Sequence, residues 1–249
     1  MRFLVMGLGS IGTRHAQNLA ALGHEVLGYD IKFLDGWAST VLFNDFKMIA
    51  DPSAVDDIQG CIIATPTSCH AKDLGYAIER GWPTLVEKPI ADKIDGALVT
   101  DLAFAKTAGT MVMMGNNLRF HPSARLAKRY LEQNLIGTPR WATFCVSQFN
   151  EKAEYLRDGV TLNWGAHEID LALWLLGPAK VVTASIDCMD TISDICLCHE
   201  NGCRTVIHLD YVTQPEIREV HEVEQRVRVH FDEADHRLRD CFGGLLVQL

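Results

Sequence analysis

One stretch decides the fold of this 249-residue chain: Arg2-Phe3-Leu4-Val5-Met6-Gly7-Leu8-Gly9-Ser10-Ile11-Gly12. Residues 2–6 form an apolar run that predicts a short strand, and the pattern G-x-G-x-x-G at 7–12 follows it directly. Apolar residues at helical spacing over 11–22, closed by Gly23, predict a helix immediately afterwards. A glycine pattern in this position, between a strand and a helix, indicates a dinucleotide-binding turn.

The three glycines of the pattern are expected to have separate roles. Gly7 permits the tight turn, Gly9 lets a pyrophosphate approach the backbone, and Gly12 lets the helix pack close to the strand. Ser10 and Ile11 lie at the predicted helix N-terminus, where free N–H donors and a positive potential favour phosphate. The alternative is a glycine turn that binds no ligand.

Asp30 ends the next predicted strand, 25–29, and lies 18 residues after Gly12. We expect its carboxylate to accept hydrogen bonds from the adenosine ribose hydroxyls and to repel a 2′-phosphate, which favours NAD over NADP as the cofactor. Lys32 is close enough in the chain to weaken that preference. The alternative role of Asp30 is that of an ordinary strand-end or helix-cap residue.

Strands and helices alternate through the first part of the chain. This order predicts an α/β domain over residues 1–118, a Rossmann doubly wound parallel sheet with helices on both faces. The predicted strands are 2–6, 25–29, 41–43, 61–64, 84–86 and 111–114, and the predicted helices are 11–22, 69–80 and 95–108.

From residue 119 the pattern changes to successive strands with short turns, such as Glu200-Asn201-Gly202. It predicts a second domain over residues 119–249, an α+β domain with a mostly antiparallel sheet. Its predicted helices are 122–135 and about 166–176. Its predicted strands are 140–149, 180–188, 193–199, 204–211, 217–223 and 226–231.

The chain has 32 acidic and 23 basic residues, a formal net charge of −9. An acidic chain repels phosphate backbones and shows no basic stripe, so nucleic acid is a poor candidate partner and a nucleic-acid-binding regulator is disfavoured. The longest apolar runs are too short to cross a bilayer, and the N-terminus has no signal-peptide cleavage region. We therefore expect a cytoplasmic protein without membrane contact.

Eight cysteines occur without a secretory signal, and free thiols are the expectation. Cys196, Cys198, His199 and Cys203 are grouped, but their spacing departs from the usual arrangement of zinc ligands. Cys196 and Cys198 share one face of a predicted strand, and His199 lies on the other face. Strand thiols are favoured over a zinc site, and no metal is expected.

Two further motifs follow predicted parallel strands, Thr65-Pro66-Thr67-Ser68 and Glu87-Lys88-Pro89. The carboxyl ends of such strands line the cofactor crevice, so Lys88 is expected to point toward the nicotinamide end. A solvated surface lysine is the alternative, although the prolines at 66 and 89 favour fixed turns.

With two later segments, these motifs make the sequence resemble the glucose–fructose oxidoreductase / inositol dehydrogenase (Gfo/Idh/MocA) family. The matching segments are GLGSIGTRHAQNL at 7–19, ATPTSCH at 64–70, VEKPIA at 86–91, GNNLRFHP at 115–122 and GAHEIDLALWLLG at 165–177. The resemblance implies a homo-oligomer formed through the open face of the C-terminal sheet. It also implies an NAD-dependent oxidoreductase that interconverts a secondary alcohol and a ketone on a sugar, a cyclitol or a nucleotide-linked sugar.

The resemblance also assigns residues to the site. Lys88 corresponds to the family's lysine near the reacting hydroxyl or carbonyl, and His167 corresponds to its catalytic histidine. The expected cofactor-facing residues of the two loop motifs are Thr65, Pro66, His70, Glu87 and Lys88.

Asn163 stands where the family has an aspartate, and an amide can neither act as a base nor carry negative charge. The family's lysine–aspartate–histidine proton relay therefore cannot operate in its usual form, and His167 is expected to act alone as acid or base. The expected substrate-side residues are Asn117, Arg119, Asn163 and Asp170, the last either orienting His167 or only packing.

The chain ends soon after a stretch rich in Arg and Asp at 232–240, where members of the family carry a further element that returns toward the active site. Part of the substrate wall is then missing or comes from another subunit. Together with Asn163, this leaves open an alternative function: a cofactor-binding protein without dehydrogenase activity, such as a redox sensor or an assembly subunit.

Overall fold

The computed structural model describes residues 1–34, 45–149, 153–213, 217–222, 227–230 and 245–247. The chain divides into two compact units, Met1–Gly115 and Asn116–Leu249. This division falls three residues before the predicted domain boundary after residue 118, which stays a prediction.

The N-terminal unit contains one six-stranded sheet, ordered β3-β2-β1-β4-β5-β6, in which all neighbouring strands are parallel. This is the strand order of a dinucleotide-binding Rossmann fold, and it confirms the predicted doubly wound sheet. The strands are β1 Arg2–Met6, β2 Glu25–Tyr29, β3 Lys47–Met48, β4 Gly60–Ile63, β5 Thr84–Val86 and β6 Val112–Met114. The helices are α1 Ser10–Ala21, α2 Ile31–Leu34, α3 Thr67–Glu79 and α4 Gly96–Ala108.

The sheet of this unit is covered on both faces. Leu4 on one side of β1 joins a cluster with Leu74 and Ile78 of α3, whereas Val5 joins a separate cluster with Ala16 of α1. Burial on both faces explains why β1 and β4 are continuous apolar runs without polar alternation. The strand predicted at 41–43 lies outside the described residues, and β3 occupies the sheet edge beside β2.

The C-terminal unit contains a seven-stranded sheet, ordered β13-β12-β11-β7-β10-β9-β8. Only β7 and β10 pair in parallel among the described strands, which confirms the mostly antiparallel sheet. The strands are β7 Trp141–Ser147, β8 Ala179–Ile186, β9 Ile192–His199, β10 Arg204–Asp210, β11 Ile217–Glu222, β12 Val227–His230 and β13 Leu245–Val247. The helices are α5 Pro122–Glu132, α6 Ala153–Asn163 and α7 Gly165–Leu176.

One face of this sheet makes the core of the unit. Phe144 of β7 and Ile207 of β10 are fully buried in one cluster with Leu171 and Leu175 of α7. The alternate residues of β7, such as Thr143 and Cys145, are only half buried. Buried and half-buried residues therefore alternate along β7, because one face of the strand lies in the core and the other face is open.

Helix α6 is one of four elements that the sequence analysis did not predict, with α2, β3 and β13. Gly159 interrupts it with φ 71° and ψ 161°, a conformation that departs from helical geometry and favours glycine. A β-carbon at Gly159 would lie 1.9 Å from Oδ2 of Asp190, so the glycine also makes room for that carboxylate. Because a glycine inside an apolar pattern usually marks a break, the short helical segments before and after Gly159 were not predicted.

The cysteines described by the structure are free thiols, seven in number. Cys196 and Cys198 are half buried on one face of β9, while His199 is buried, with its ring nitrogens 2.7 Å from the Gly177 carbonyl oxygen and 2.8 Å from Oγ1 of Thr205. Within the described ranges, no group of three or more His, Cys, Asp or Glu is arranged to hold a metal ion. Nor is any helix in those ranges both long and apolar enough to cross a membrane.

Candidate functional site

The glycine loop between β1 and α1 is constrained by close backbone approaches. Gly7 has φ 85°, and a β-carbon there would lie 2.5 Å from the backbone nitrogen of Thr65. A β-carbon at Gly12 would lie 1.8 Å from the carbonyl oxygen of Gly7. Gly9 differs, because a β-carbon there would meet no described atom within 4 Å. Gly7 and Gly12 are therefore needed by the turn itself, whereas Gly9 leaves open space above the backbone.

The N-terminus of α1 carries no side-chain cap, and its first backbone hydrogen bond runs from Thr13 to the Gly9 carbonyl oxygen at 2.9 Å. The N–H groups of Ser10 and Ile11 thus lie in the first turn, where a helix has no internal acceptor for them. Both residues are exposed. This arrangement suits an anionic phosphate group.

Asp30 follows β2 and contacts the glycine loop. Its Oδ2 accepts a hydrogen bond from the Leu8 backbone nitrogen at 2.8 Å, and its Oδ1 accepts one from the Lys32 backbone nitrogen at 2.9 Å. The carboxylate therefore caps the short helix α2 and also fixes the loop that precedes α1. These contacts leave lone pairs on both oxygens that are free to accept further donors such as ribose hydroxyls.

A hydrogen bond between the side chains of Thr65 and Asp73 joins the loop after β4 to α3. Oγ1 of Thr65 donates to Oδ2 of Asp73 at 2.7 Å, and Pro66 precedes the first turn of α3. Burial raises the pKa of Asp73, although the Thr65 hydrogen bond and the nearby His70 and Lys72 oppose the rise. Asp73 was not among the residues predicted for the site, and its place three residues after His70 on a helix is the only signal in the sequence.

The His70 ring lies between this loop and the one after β5. Its Nε2 is 2.8 Å from the Thr65 carbonyl oxygen, and its Nδ1 is 2.7 Å from the Pro89 carbonyl oxygen. The residue is 2% exposed. The two loop motifs found in the sequence are therefore joined by one buried side chain.

Glu87 is held by a histidine of α1. Nε2 of His15 lies 2.8 Å from Oε1 of Glu87, and the Lys88 backbone nitrogen lies 3.3 Å from Oε2. Burial opposes the charge on Glu87, but the hydrogen bond and charge of His15, with the contribution of Lys88, hold the pKa of Glu87 below its usual value. Lys88 is half buried, and its peptide bond to Pro89 is cis.

His15 was missed by the sequence analysis. It lies three residues after Gly12, on the same side of α1, and that spacing is the signal that identifies it in retrospect. The structure thus brings together the glycine loop, Asp30, Thr65, His70 and the Glu-Lys-Pro segment within the N-terminal unit, with His15 and Asp73 added.

In the C-terminal unit, Asp170 of α7 is the centre of a polar cluster. Nε of Arg119 donates to its Oδ2 at 2.8 Å, and Nδ2 of Asn116 donates to its Oδ1 at 2.6 Å. The hydrogen bond to Asp170 raises the pKa of Arg119. Asn117, which the sequence analysis proposed with Arg119, is exposed, and its neighbour Asn116 makes the contact instead. A single-residue offset of this kind depends on the short 3-10 helix at Asn117–Phe120.

Asn163 and His167 belong to the same unit. Nδ2 of Asn163 donates to the Tyr211 hydroxyl at 3.1 Å, and that hydroxyl lies 3.3 Å from the Gly159 carbonyl oxygen. His167 lies in the first turn of α7, where its backbone nitrogen donates to the Trp164 carbonyl oxygen at 2.9 Å. Its side chain is half buried.

Two family models match the chain and together cover most of it. The one described as "Oxidoreductase family, NAD-binding Rossmann fold" matches residues 1–116, and the one described as "GFO/IDH/MocA C-terminal domain" matches residues 124–236.

Curated relatives point the same way. A scyllo-inositol 2-dehydrogenase (NAD(+)) of Bacillus subtilis is 27% identical over 202 residues, 74% of this chain and 56% of that protein. An inositol 2-dehydrogenase/D-chiro-inositol 3-dehydrogenase of Shouchella clausii is 30% identical over 188 residues, 71% of this chain and 53% of that protein. The chain thus spans little more than half the length of these two relatives.

Solved structures share the fold. The WlbA dehydrogenase of Bordetella pertussis, in complex with NADH and UDP-GlcNAcA, superposes with a TM-score of 0.81 at 21% identity, covering 92% of this chain and 77% of that one. A UDP-N-acetylglucosamine 3-dehydrogenase, GnnA of Acidithiobacillus ferrooxidans, superposes with a TM-score of 0.75 at 22% identity, covering 92% and 77%. At these identities the likeness is one of fold.

Proposed function

Because the chain belongs to the Gfo/Idh/MocA oxidoreductase family, we propose that it is an NAD-dependent oxidoreductase that interconverts a secondary alcohol and a ketone. The observation that carries the proposal is the N-terminal site, in which an uncapped helix N-terminus, Asp30 and the Glu-Lys-Pro segment follow the carboxyl ends of three parallel strands of one sheet, β1, β2 and β5. The substrate class is a sugar, a cyclitol or a nucleotide-linked sugar.

The N-terminal unit binds the cofactor in this proposal. The N–H groups of Ser10 and Ile11 hold the pyrophosphate beside Gly9, and Asp30 accepts hydrogen bonds from the ribose hydroxyls. Its negative charge disfavours the 2′-phosphate of NADP. When bound, the nicotinamide supplies the hydride chemistry, and the protein supplies position and charge.

Lys88 stabilises the substrate oxygen. A lysine is ordinarily cationic at neutral pH, so it needs no change of protonation to polarise a carbonyl or to stabilise developing alkoxide charge. Glu87, ionised and held by His15, places a negative charge beside it and favours the cationic form.

His167 is the proposed acid or base. The imidazole of histidine titrates near neutral pH, which suits proton exchange with a substrate hydroxyl. Asn163 cannot share that role, because an amide neither takes up nor releases a proton at neutral pH. Its Nδ2 donates a hydrogen bond to the Tyr211 hydroxyl.

The proposal also covers the partners, the oligomeric state and the location of the protein. The partner is a small polyol or sugar, and no nucleic acid or membrane takes part, as the net charge of −9 favours. Copies of the chain associate through the C-terminal sheet. The free thiols of the described cysteines fit a cytoplasmic location.

The first test is a fluorescence titration of the protein with NADH and NADPH. Tighter binding of NADH is the expected result, and a screen of polyols, sugars and nucleotide sugars for cofactor reduction follows. Equal or tighter binding of NADPH would contradict the role of Asp30. Failure to bind either nucleotide would overturn the proposed function.

The second test assigns Lys88 and His167. Lys88→Ala is expected to lower turnover by about 100-fold or more, and His167→Ala by about 100-fold to 10,000-fold. NADH affinity should stay within about twofold in both variants, because the lost interactions belong to the transition state. Lys93→Ala, at an exposed lysine of the same unit, is the matched control and should turn over like the wild type.

Asn163 favours a second candidate, a cofactor-binding protein without dehydrogenase activity. Its amide stands where the family has an aspartate and is used in a hydrogen bond to Tyr211. Tight NADH binding without turnover of any polyol or sugar, with turnover appearing in Asn163→Asp, would support this candidate over the oxidoreductase.

A further inference from the structure

The backbone that carries Lys88 is fixed by a side chain from another element. Lys88 lies between Glu87 and Pro89 in the loop after β5, and Nδ1 of His70 approaches the Pro89 carbonyl oxygen at 2.7 Å. His70 belongs to α3, which follows the neighbouring strand β4. His70, 19 positions before Pro89, thus helps to fix the position of the loop that carries Lys88.

The other nitrogen of the same ring contacts the neighbouring loop. Nε2 of His70 lies 2.8 Å from the carbonyl oxygen of Thr65, whose hydroxyl is bonded to Asp73 on α3. Because His70 is 2% exposed, water cannot readily replace either partner. The ring therefore joins the two loops that follow β4 and β5 at the carboxyl edge of the sheet.

Both partners of the ring are acceptors. A neutral imidazole donates to one of them, and a doubly protonated imidazole donates to both.

We propose that His70 is a positioning residue with two separable tasks: Nδ1 fixes the Lys88-Pro89 segment, and Nε2 fixes the loop at Thr65-Pro66 against which the cofactor lies. The proposal rests on the proposed oxidoreductase function. It replaces the expectation that His70 binds the cofactor directly, because each of its ring nitrogens faces a backbone carbonyl.

The two tasks can be separated by a matched pair of variants. In His70→Asn the side-chain amide reaches about the place of Nδ1, so the Pro89 contact is kept and the Thr65 contact is lost. In His70→Gln the amide reaches about the place of Nε2, so the Thr65 contact is kept and the Pro89 contact is lost. His70→Ala loses both.

Each of the two contacts of His70 can be monitored by its own measurement, and neither measurement requires enzyme activity. The NMR signal of ¹³C-dimethylated Lys88, assigned from its absence in Lys88→Arg, reports on the lysine's surroundings, and NADH titration reports on the cofactor loop. Thermal unfolding of each variant records any general loss of stability.

His70→Gln is expected to move the Lys88 signal while NADH affinity changes little. His70→Asn is expected to leave the Lys88 signal in place and to weaken NADH binding by roughly two- to tenfold, the effect of one lost hydrogen bond. Parallel changes of both readouts in both variants, in step with the melting temperature, would overturn the proposal and leave His70 a structural residue. Unchanged readouts in both variants would also overturn it.

If the variants fail to fold, a measurement on the wild type still tests the proposal. The ring protons of ¹⁵N-labelled His70 should be protected from exchange with water, and free exchange would overturn the proposal. If the wild type binds no NADH, the proposed function fails, whereas the Lys88 signal in His70→Gln still decides whether Nδ1 positions the lysine.

Discussion

Glu87 shows how single contacts determine the charge of a group beside Lys88, the proposed catalytic lysine. Burial alone favours the neutral acid, whereas the hydrogen bond from His15 and the nearby positive charges favour the carboxylate, and the favourable contributions prevail. The same contact links α1, which begins at the glycine loop, to the segment that carries Lys88. A β-carbon at Gly115 would lie 3.1 Å from Oε2 of Glu87, so the carboxylate also occupies space that this glycine provides.

This pair makes a pH-dependent contribution to the stability of the fold. Because the folded pKa of Glu87 lies below its unfolded value of about 4.3, the ionised form stabilises the fold above that pH, and the contribution is lost as pH falls through the folded pKa. Glu87→Gln should therefore lower the free energy of unfolding by about 1 kcal/mol at pH 7, and by less as the pH falls below 4.3.

Urea unfolding of the wild type and of Glu87→Gln at several pH values from 7 to 3 measures this difference. Glu79→Gln, at an exposed glutamate of α3, is the matched control. A difference for Glu87→Gln that stays constant over the whole range, or that grows as the pH falls, would contradict the assignment.

At the scale of elements, the two glycines Gly12 and Gly9 of the loop before α1 differ in the space around them. Gly12 must approach the Gly7 carbonyl oxygen for α1 to pack against β1, and its missing side chain is part of the fold. Gly9 has open space beside it and φ −65°, a value that alanine adopts without strain. The close approach at Gly12 belongs to folding, and the open space at Gly9 belongs to the proposed binding of the cofactor.

Alanine substitution should separate these requirements. Gly12→Ala is expected to lower the free energy of unfolding by more than about 2 kcal/mol, because the new methyl group overlaps a backbone oxygen. Gly9→Ala should change it by less than about 0.5 kcal/mol, yet should weaken NADH binding by about tenfold or more by crowding the pyrophosphate. Urea unfolding and fluorescence titration measure the two effects, and an equal loss of stability in both variants would refute the distinction.

At the scale of the whole molecule, β8 is an apolar edge strand among the described strands of the C-terminal sheet. In β8, an edge strand, every residue after Ala179 is exposed, and Val181 and Val182 are 65% and 66% exposed. Exposed apolar edge strands are usually covered in proteins that stay in solution. This observation supports the proposed association of copies through the sheet.

Charge placed on this strand should separate the copies. Val182→Glu is expected to weaken self-association by at least about tenfold, since a symmetric interface contains each substitution twice. Sedimentation equilibrium measures the change, with Val99→Glu, at an exposed valine on α4 of the other unit, as the matched control. A wild type that stays monomeric at micromolar concentration would refute the proposed oligomer.

The sequence by itself determined the class of fold and the nature of the cofactor loop. Strands β1, β2 and β5 lie where the sequence predicted them, because a continuous apolar run between turn residues is a local signal. The glycine pattern is equally local, since its turn, its helix N-terminus and its steric limits involve residues 7–12 and the strands beside them. Helix α6 was not predicted because glycine is a typical helix breaker, whereas here Gly159 adopts a non-helical conformation inside the helix and packs against Asp190, 31 residues further along the chain.

Only the tertiary structure decided which polar side chains meet. The sequence contains His15, His70 and Asp73 without showing that they hold the segments around Lys88, because these contacts join residues brought together by strand order. The choice of Asn116 over Asn117 as the partner of Asp170 likewise depends on how a short 3-10 helix is turned. Apolar periodicity repeats along the chain and is visible locally, whereas a hydrogen bond between elements exists only when packing fixes both its ends.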